Sequence, residues 1–457
     1  MQKYDFLLVY ETKNRELESI CLLKYELERR GYSVAVVETW WTMQHNYRPI
    51  SASVLVAFAL YNDSQISYAS SFGRDFKTIV NLQWEQIYTN SDEMRQDSNY
   101  RVSGCARNMV HIAWGPFTAN KLIDLCGVPE QNVKLTGHVA MDFIKPKLHG
   151  YYLERGELLR QYQISGETRL LLFISSFSYV SLPDVILNSE IYQKAALPVQ
   201  DFKELSILSQ AILFQWLREI LPRHPECTFI YRPHPAEVDN MELKEMEREI
   251  SNFRIIRDYS VKQWITAADK VYTWYSTSAA DAYFCGKCFD ILRPVTLPYE
   301  MELVLYNGGR FITTRQDFDR TIGGSDTGFP IKKEVLDSFY DFDEEVYAYS
   351  RICDALESAF HDHTDRCAQF RIKPKRSMVS RIIRFPLRIA KYWYLRLLGW
   401  MYEAGLFKQA TGPLGEEAKY QAYVRGMIQN NYAPKREILM LQKRIQEIII
   451  RNTQEEL

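Results

Sequence analysis

Short apolar segments alternate with amphipathic segments along much of the chain, and this alternation constrains the fold more than any other feature. Residues 6–10 form an apolar run of strand length. Residues 16–30 carry apolar side chains at helical spacing, Gly31 stands where a helix ends, and residues 33–38 are apolar again. Further apolar runs of strand length lie at 53–58, 78–82 and 133–136.

A second alternating series starts at residue 169. Strands are predicted at 169–174, 228–231, 253–256 and 270–273, and helices at 205–221, 261–268 and 278–285. Continuous apolar strands separated by helices predict an α/β fold with parallel sheets covered on both faces. A chain of 457 residues exceeds the usual size of one core, so we predict two such domains. The predicted bounds are 1–150 and 165–330, with a glycine- and proline-containing junction inside 144–168 and a helical extension at 331–457.

The overall charge and hydropathy exclude several classes of protein. The formal net charge is -1, so the chain as a whole does not attract nucleic acid. No apolar run approaches the roughly 20 residues that a membrane-spanning helix needs. The amino-terminal apolar run is also too short for a signal peptide. We therefore expect the protein to be cytoplasmic.

Polar residues directly after the predicted strands of the second series are the candidate binding groups, because ligands of open parallel sheets bind beyond the carboxyl ends of the strands. Arg232 and His234 lie in the segment Tyr-Arg-Pro-His-Pro at 231–235. Two prolines fix this backbone, and a cation beside an imidazole suits a phosphate or diphosphate. A stiff turn with a surface histidine is the alternative interpretation.

Hydroxyl residues follow two other strands of this series. Ser276, Thr277 and Ser278 precede a helix of small residues, where hydroxyls and free N–H groups suit an anion. Asp281, one turn further on, is expected to accept hydrogen bonds from a ribose. Ordinary capping of the helix is the alternative. The third candidate loop consists of Ser175 and Ser176. Phosphate-type loops after several strands of one domain indicate a nucleotide site.

The order of these loops resembles the donor domain of GT-B-fold glycosyltransferases. The Arg-Pro-His-Pro segment is similar to the HP motif of bacterial families that use CMP- or CDP-activated donors, such as polysialyltransferases, capsule Kdo transferases and teichoic-acid glycerophosphotransferases. The resemblance implies two Rossmann-type domains that face a cleft. It also implies that His234, Ser276 and Thr277 contact the donor phosphate. Asp281 matches an acidic position at which the motif has glutamate, so its ribose contact departs from the pattern.

The first half resembles a group of bacterial surface carbohydrate biosynthesis proteins. The similarity is carried by Tyr-Glu-Thr-Lys-Asn-Arg-Glu at 10–16, His-Ile-Ala-Trp-Gly-Pro-Phe at 111–117 and Leu-Thr-Gly-His-Val-Ala-Met-Asp at 135–142. The last segment is similar to the closing element of GT-B amino-terminal domains. Together the two resemblances cover residues 4–310 and imply a role in capsule or lipopolysaccharide synthesis.

The general base of a transfer reaction is expected from the first domain, facing the cleft. Glu11 and Glu85 are the two candidates, since each follows a predicted strand. Either could instead be a structural carboxylate that pairs with Lys13 or Arg15. No group of residues demands a metal, and GT-B enzymes neutralise the leaving phosphate with helix termini and basic side chains. We expect a nucleotide-sugar substrate with no metal and no other cofactor.

The carboxyl-terminal part differs in composition. Residues 366–402 contain ten lysines or arginines, no acidic residue and several interleaved aromatic side chains, which suits contact with an anionic membrane surface. A solvated helical face is the alternative. The segment 435–457 places Ile438, Leu441, Ile445 and Ile448 at alternating steps of three and four, which indicates an amphipathic helix and a possible seam for homo-oligomers.

Three functional hypotheses follow from the sequence. The favoured one is a glycosyltransferase that moves a sugar from a CMP-linked donor, with UDP second, to a glycan or lipid-linked acceptor on the inner face of the membrane. The second is a phosphotransferase of the same fold that uses a CDP-polyol. The third is a non-catalytic GT-B scaffold of capsule assembly.

Overall fold

The computed structural model describes most of the chain. The described residues are 3–45, 50–96, 98, 100–180, 182, 187, 196–237, 240–324, 328–362, 364–368, 390, 393–405 and 412–455.

The first sheet has seven parallel strands in the order β2-β1-β3-β5-β6-β7, with β4 paired to β3. Its strands are β1 (Lys3–Tyr10), β2 (Val34–Glu38), β3 (Ile50–Ala57), β4 (Gly73–Arg74), β5 (Thr78–Asn81), β6 (Val110–Ala113) and β7 (Val133–Leu135). In the register of the central strands, Leu7 of β1 lies opposite Ala35 of β2 and Leu55 of β3.

The second sheet has six parallel strands in the order β10-β9-β8-β11-β12-β13. Its strands are β8 (Arg169–Ile174), β9 (Cys227–Arg232), β10 (Phe253–Ile255), β11 (Lys270–Thr273), β12 (Cys288–Leu292) and β13 (Phe311–Ile312). The chain proceeds outward from β8 to β10 and then returns to β11, so the direction of strand order reverses between β8 and β11. In the first sheet it reverses between β1 and β3.

Helices cover both sheets. The described α-helices are Lys13–Arg29, Thr39–His45, Asp63–Ile66, Ala69–Phe72, Asn90–Met94, Pro116–Asn120, Arg155–Gln161, Val199–Ile220, Met241–Glu249, Val261–Ala267, Ala279–Phe284, Arg315–Ile322, Lys333–Phe339, Ala348–His361, Pro413–Asn431 and Lys435–Glu455. Residues 393–403 are helical as well. Four apolar clusters fill the two faces of the two sheets, which explains why the strands are apolar on both sides. None of the described helices is long and apolar enough to span a bilayer.

The helical extension is present, and its helices Ala348–His361 and Lys435–Glu455 pack on the helix Lys13–Arg29 of the first domain. Asp142 caps the first turn of the helix Ala348–His361. Its carboxylate accepts hydrogen bonds from the N–H groups of Ala348, at 3.0 Å, and Tyr349, at 2.7 Å. Asp142 is fully buried and also pairs with Lys145 at 2.8 Å. Asp142, the last residue of the segment 135–142, therefore anchors to the first domain the helix that follows the second domain in the chain.

The expectation of a self-association seam on the terminal helix is wrong for its apolar face. Ile438, Ile445 and Ile448 are buried in the first core, together with residues of the helix Lys13–Arg29. Lys13 also pairs with Glu437 at 2.7 Å. The amphipathic pattern is real, but the partner of the apolar face is another helix of the same chain.

Much of the basic segment 366–402 lies outside the described residues. Arg366 is turned into the fold, because its guanidinium pairs with Asp362 at 2.9 Å and donates to Asn132 Oδ1 at 2.7 Å. The helix at 393–403 exposes about half or more of the side chains of Trp393, Tyr394 and Trp400.

The two domains meet along two segments beside the cleft. Thr89 and Leu303 form an antiparallel bridge, and Asn90 N–H donates to the carbonyl of Glu302 at 2.9 Å. The junction between the domains also contacts the second domain, because the Gln263 amide forms hydrogen bonds with both backbone groups of Leu153, at 2.7 and 3.0 Å.

Candidate functional site

The predicted loops lie at the carboxyl edge of the second sheet, at or next to the point between β8 and β11 where the strand order reverses (the reversal point). Ser175 and Ser176 directly follow β8, the segment 276–278 follows β11, and His234 follows the neighbouring strand β9. Two hydrogen bonds hold these loops together: Ser175 N–H donates to the Arg232 carbonyl at 2.9 Å, and the Thr273 hydroxyl donates to the Ile174 carbonyl at 2.8 Å. A reversal point at the carboxyl edge is where open α/β sheets bind ligands.

His234 is oriented by its own loop. Its Nδ1 accepts the Ala236 N–H at 3.1 Å, and its backbone N–H donates to Glu237 at 3.2 Å. Burial, with a contribution from the positive charge of Arg15, lowers the pKa of His234 to about 4. The imidazole is therefore neutral at pH 7 with its proton on Nε2, since Nδ1 is the acceptor. Within the described chain, Nε2 has no hydrogen-bond partner.

Tyr306 holds the backbone of the hydroxyl loop, residues 276–278. The Tyr306 hydroxyl accepts the Ser276 N–H at 3.1 Å and donates to the Ser276 carbonyl at 2.6 Å. Ser276 Oγ accepts the Ser278 N–H at 3.2 Å, which forms a local turn within the loop. Ser278, the N-cap residue of the helix Ala279–Phe284, makes no side-chain capping hydrogen bond. Thr277 is exposed at the tip of the loop.

Three of the other predicted residues have structural partners. Arg232 is buried and donates to the carbonyls of Asp258, at 2.8 Å, and Tyr259, so it holds the loop after β10. Asp281 forms an ion pair with Lys262 at 2.6 Å. Ser175 is buried between Tyr231, at 2.8 Å, and Glu237, at 2.5 Å. A direct contact of these three side chains with a nucleotide stays a prediction.

Ser176 differs from Ser175. Its Oγ is buried and has no hydrogen-bond partner among the residues that the structure describes. Because a buried hydroxyl without a partner is costly, this group at the reversal point is a candidate for ligand contact.

On the first domain, Arg15 gathers three carboxylates at the ends of β1 and β5. Its guanidinium pairs with Glu16 at 2.7 Å and with Glu85, and lies 4.0 Å from Glu11. Glu16 is fully buried, whereas the Glu11 and Arg15 side chains are 33% and 37% exposed. Glu11 therefore pairs with Arg15, one of the two basic partners predicted for it. The other, Lys13, pairs with Glu437.

This cluster shifts the proton affinity of its members. Burial, and then the charge of Glu16, raise the pKa of Glu11 to about 7, although Arg15 opposes the shift. Burial alone would lower the pKa of Arg15, but Glu16, Glu85 and Glu11 raise it, so the guanidinium stays charged. A carboxyl group with a pKa near 7 in an open cleft has the proton affinity that a general base needs.

The two halves of the site act on each other across the cleft. Arg15 and Glu85 of the first domain lie close enough to His234 for their charges to shift its pKa in opposite directions. Two loops near the site each contain a non-glycine residue at positive φ. Gln83, at 49°, lies in the loop that carries Glu85, and Tyr259, at 63°, lies in the loop after β10. Such conformations are uncommon and cluster at functional sites.

Sequence reasoning missed two residues of this arrangement. Arg15 appeared only as a partner for a carboxylate, and Tyr306 did not appear at all. The first-turn position of Arg15 beside the end of β1 was a usable signal. Nothing local could identify Tyr306, because it reaches the loop at Ser276 from 30 residues further along the chain.

No model of a known protein family matches this chain, and no curated protein is similar to it in sequence. Solved structures are similar to it in fold. A variant of the wall teichoic acid polymerase TagF matches with a TM-score of 0.50 at 10% identity, covering 78% of this chain and 89% of that one. The UDP-GlcNAc 2-epimerase of Neisseria meningitidis, bound to UDP-GlcNAc, matches with a TM-score of 0.46 at 11% identity, covering 78% and 100%.

At these identities the likeness concerns the fold alone. The class that the architecture defines is GT-B-like: two Rossmann-like parallel-sheet domains that face a cleft, with a helical carboxyl-terminal extension. The prediction of fold class is confirmed.

Proposed function

We propose that this protein is a glycosyltransferase of bacterial surface polysaccharide synthesis, which transfers a sugar from a nucleotide-activated donor to a glycan or lipid-linked acceptor. The observation that carries the proposal is that a neutral His234, with a free Nε2–H, and the Ser276 loop both follow strands at the carboxyl edge of the second sheet, where the charges of Arg15 and Glu85 of the first domain act on His234. A CMP-linked sugar is the favoured donor because of the likeness of Arg-Pro-His-Pro to the HP motif.

The donor phosphate is assigned to the second domain. His234 Nε2–H donates one hydrogen bond to it, and the hydroxyls of Ser276, Thr277 and Ser278, with Ser176, supply others. A neutral donor suits this role because it stabilises the phosphate of the leaving nucleotide without changing its own charge between pH 5 and 8. The nearby guanidinium of Arg15 offsets part of the developing negative charge, so the proposed reaction uses no metal.

The acceptor is assigned to the first domain. Glu11, with a pKa of about 7, removes the proton of the acceptor hydroxyl as that oxygen attacks the anomeric carbon. Arg15 lies beside Glu11, Glu85 and Glu16 at once, and its positive charge reduces the repulsion among the three carboxylates. Glu85 is the second candidate for the base.

A peripheral membrane contact is part of the proposal. The helix at 393–403 presents Trp393, Tyr394 and Trp400 to solvent, and Arg396 lies over the Trp393 ring at 5.8 Å. Aromatic rings beside cationic side chains suit the headgroup region of an anionic bilayer. The test is co-sedimentation with vesicles of phosphatidylglycerol in phosphatidylcholine. Binding that is lost in Trp393→Ala/Trp400→Ala supports the contact, and equal sedimentation with neutral and anionic vesicles contradicts it.

Donor hydrolysis tests the reaction class. The protein is incubated separately with CMP-N-acetylneuraminate, UDP-GlcNAc and CDP-glycerol, and the products are separated by anion-exchange chromatography. Release of a nucleotide together with free sugar, lost in His234→Ala but kept in His224→Ala, is expected. His224 is a matched control, because it precedes the amino end of β9 whereas His234 follows its carboxyl end.

The product pattern also separates the alternatives. CMP released with glycerol phosphate would assign the protein to phosphotransfer from CDP-polyols. No turnover of any donor, with no nucleotide-induced change in the melting temperature, would favour a non-catalytic scaffold.

A further inference from the structure

Asn90 of the first domain and Asn307 of the second domain form a reciprocal amide pair across the domain interface. Asn90 Nδ2 donates to Asn307 Oδ1 at 3.0 Å, and Asn307 Nδ2 donates to Asn90 Oδ1 at 2.8 Å. Asn90 is buried, and its Nδ2 also donates to the Tyr299 carbonyl at 2.8 Å. Two hydrogen bonds between two planar amides fix both the distance and the orientation of the segments that carry them.

On the second domain, the amide pair is next to the hydroxyl loop. Asn307 directly follows Tyr306, whose hydroxyl forms hydrogen bonds with both backbone groups of Ser276. The same segment is anchored by Arg293, which is 2% exposed. Arg293 Nη2 donates to Glu302 Oε1 at 2.8 Å, and its guanidinium lies over the Tyr306 ring at 6.0 Å. A displacement of Asn307 would therefore be transmitted to the hydroxyl loop.

On the first domain, the amide pair is close to the carboxylates around Arg15. Two residues before Asn90, the Tyr88 hydroxyl donates to the Glu85 carbonyl and forms a hydrogen bond with the Tyr61 hydroxyl at 2.9 Å. The Glu85 carboxylate in turn pairs with Arg15. The loop that carries Glu85 is therefore held by a residue two positions from the amide pair.

A continuous series of residues, each adjacent in sequence or hydrogen-bonded to the next, joins the two halves of the candidate site. The step from Asn307 to Asn90 crosses from one domain to the other. The rate of a transfer reaction depends steeply on how the two reactants are placed, and a misplacement of about 1 Å can cost about 100-fold. The amide pair is thus positioned to set this placement. The series consists of Ser276, Tyr306, Asn307, Asn90, Tyr88 and Glu85.

Backbone hydrogen bonds also join the domains beside the amide pair. The Asn90 N–H donates to the Glu302 carbonyl at 2.9 Å, and the Val304 N–H donates to the Tyr88 carbonyl at 3.0 Å. Truncation of the Asn307 side chain leaves these backbone groups in place. Its expected effect is therefore on the alignment of the domains and not on their association.

We propose that Asn90 and Asn307 are positioning residues of the transfer reaction, because their amide pair sets the distance between the donor at the hydroxyl loop and the acceptor at the carboxylates around Arg15. The proposal rests on the proposed function, which assigns the donor and the acceptor to these two groups. The two amides contact neither substrate. Their loss therefore slows transfer without weakening the binding of the nucleotide.

The first test separates turnover from binding. Donor hydrolysis is measured with the donor that the wild type hydrolyses fastest, so that water takes the place of the acceptor. Asn307→Ala should lower kcat about 10-fold or more, while the KM for the donor and the Kd for CMP stay within about 2-fold of the wild type. An unchanged kcat, or a Kd for CMP that rises as much as kcat falls, would overturn the proposal.

Asn252→Ala is the matched control for a merely structural role. Asn252 is a buried asparagine of the same domain, and its Nδ2 donates to the carbonyls of Leu221 at 3.0 Å and His224 at 2.8 Å. It directly precedes β10 and so lies at the opposite edge of the sheet from the hydroxyl loop. This variant should melt at a lower temperature than the wild type, with kcat unchanged.

A double-mutant cycle tests whether the two amides act as a pair. Asn90→Ala should also lower kcat, and the combined variant Asn90→Ala/Asn307→Ala should lower it by less than the product of the two single effects. Single effects that multiply in the combined variant would overturn the pairing.

The last test needs no turnover. Spin labels on Met43→Cys in the first domain and Met241→Cys in the second report the separation of the domains by pulsed electron resonance, since both positions are exposed. The accessible native thiols are first replaced by serine; they are Cys105, Cys285 and Cys288. The distribution of distances should become wider in Asn307→Ala and stay unchanged in Asn252→Ala.

The outcomes separate this proposal from the proposed function. A distance distribution that is the same in Asn307→Ala and in the wild type would overturn the role of the amide pair, whatever the protein catalyses. Failure of the wild type to turn over any donor would instead reject the proposed function, and the distance measurement would still report whether the amide pair fixes the separation of the domains.

Discussion

The hydroxyl of Tyr306 forms hydrogen bonds with both backbone polar groups of Ser276, accepting from its N–H at 3.1 Å and donating to its carbonyl at 2.6 Å. Tyr306 follows the segment 302–304, which contacts the first domain through Asn90 and Tyr88. The conformation of the hydroxyl loop is thereby tied to the interface between the domains.

Tyr306→Phe should weaken nucleotide binding. The substitution leaves the Ser276 N–H and carbonyl without their partner, so the loop is no longer held for the phosphate. A loss of about 1 kcal/mol, or roughly 5-fold in Kd for CMP, is expected from calorimetric titration. Tyr272→Phe serves as the control, since it removes a buried hydroxyl of the same domain away from the loop. Equal effects of the two variants on Kd would contradict a role for Tyr306 in the site.

The rate of donor turnover should increase with pH through a midpoint near 7. Glu11 acts as a base only when deprotonated, and burial beside Glu16 raises its pKa to about 7. His234 is already neutral above about pH 5, because its pKa is lowered to about 4, so it adds no inflection in this range. Steady-state rates between pH 5.5 and 9 test this. Glu11→Gln should remove the dependence together with most of the rate; a profile that is unchanged in Glu11→Gln but lost in Glu85→Gln would transfer the role of base to Glu85.

Asp142→Ala should destabilise the protein strongly. The substitution removes the acceptor for two N–H groups of the helix Ala348–His361 and leaves the Lys145 ammonium buried without its carboxylate. A loss of about 3–5 kcal/mol in the free energy of unfolding is expected from urea titration. Glu447→Ala, which breaks an exposed ion pair with Lys443, should change the stability little. A small effect of Asp142→Ala would mean that the returning helix is held by its apolar face alone.

The strands that the sequence predicts are those with continuous apolar runs. The strand β12 was missed because it contains Asp290, which is buried through an ion pair with Lys270 of β11 at 2.7 Å. An acidic residue in a short segment indicates a loop, because the sequence does not show which basic residue on a neighbouring strand pairs with it. The strands β4 and β13 have two residues each, too few to show a pattern, and in β6 His111 interrupts the apolar run.

The candidate site also has a part that the sequence predicts and a part that it does not. The position of His234 and the segment 276–278 at one edge could be predicted, because each follows a strand of one parallel sheet and the carboxyl ends of parallel strands lie at the same edge. The action of Arg15 on His234 could not be predicted, since it depends on how one domain faces the other. The terminal helix illustrates the same limit: its apolar stripe is visible in the sequence, whereas its partner within the chain is not.

A double-mutant cycle for CMP binding tests most directly whether His234 and Ser276 hold one phosphate. Calorimetric titrations of wild type, His234→Ala, Ser276→Ala and the double variant give the coupling between the two side chains. Each single substitution should weaken binding, and the loss in the double variant should be smaller than the sum of the single losses by about 0.5 kcal/mol or more, because both groups contact the same anion. Additive losses, or an affinity for CMP that neither substitution changes, would contradict the account.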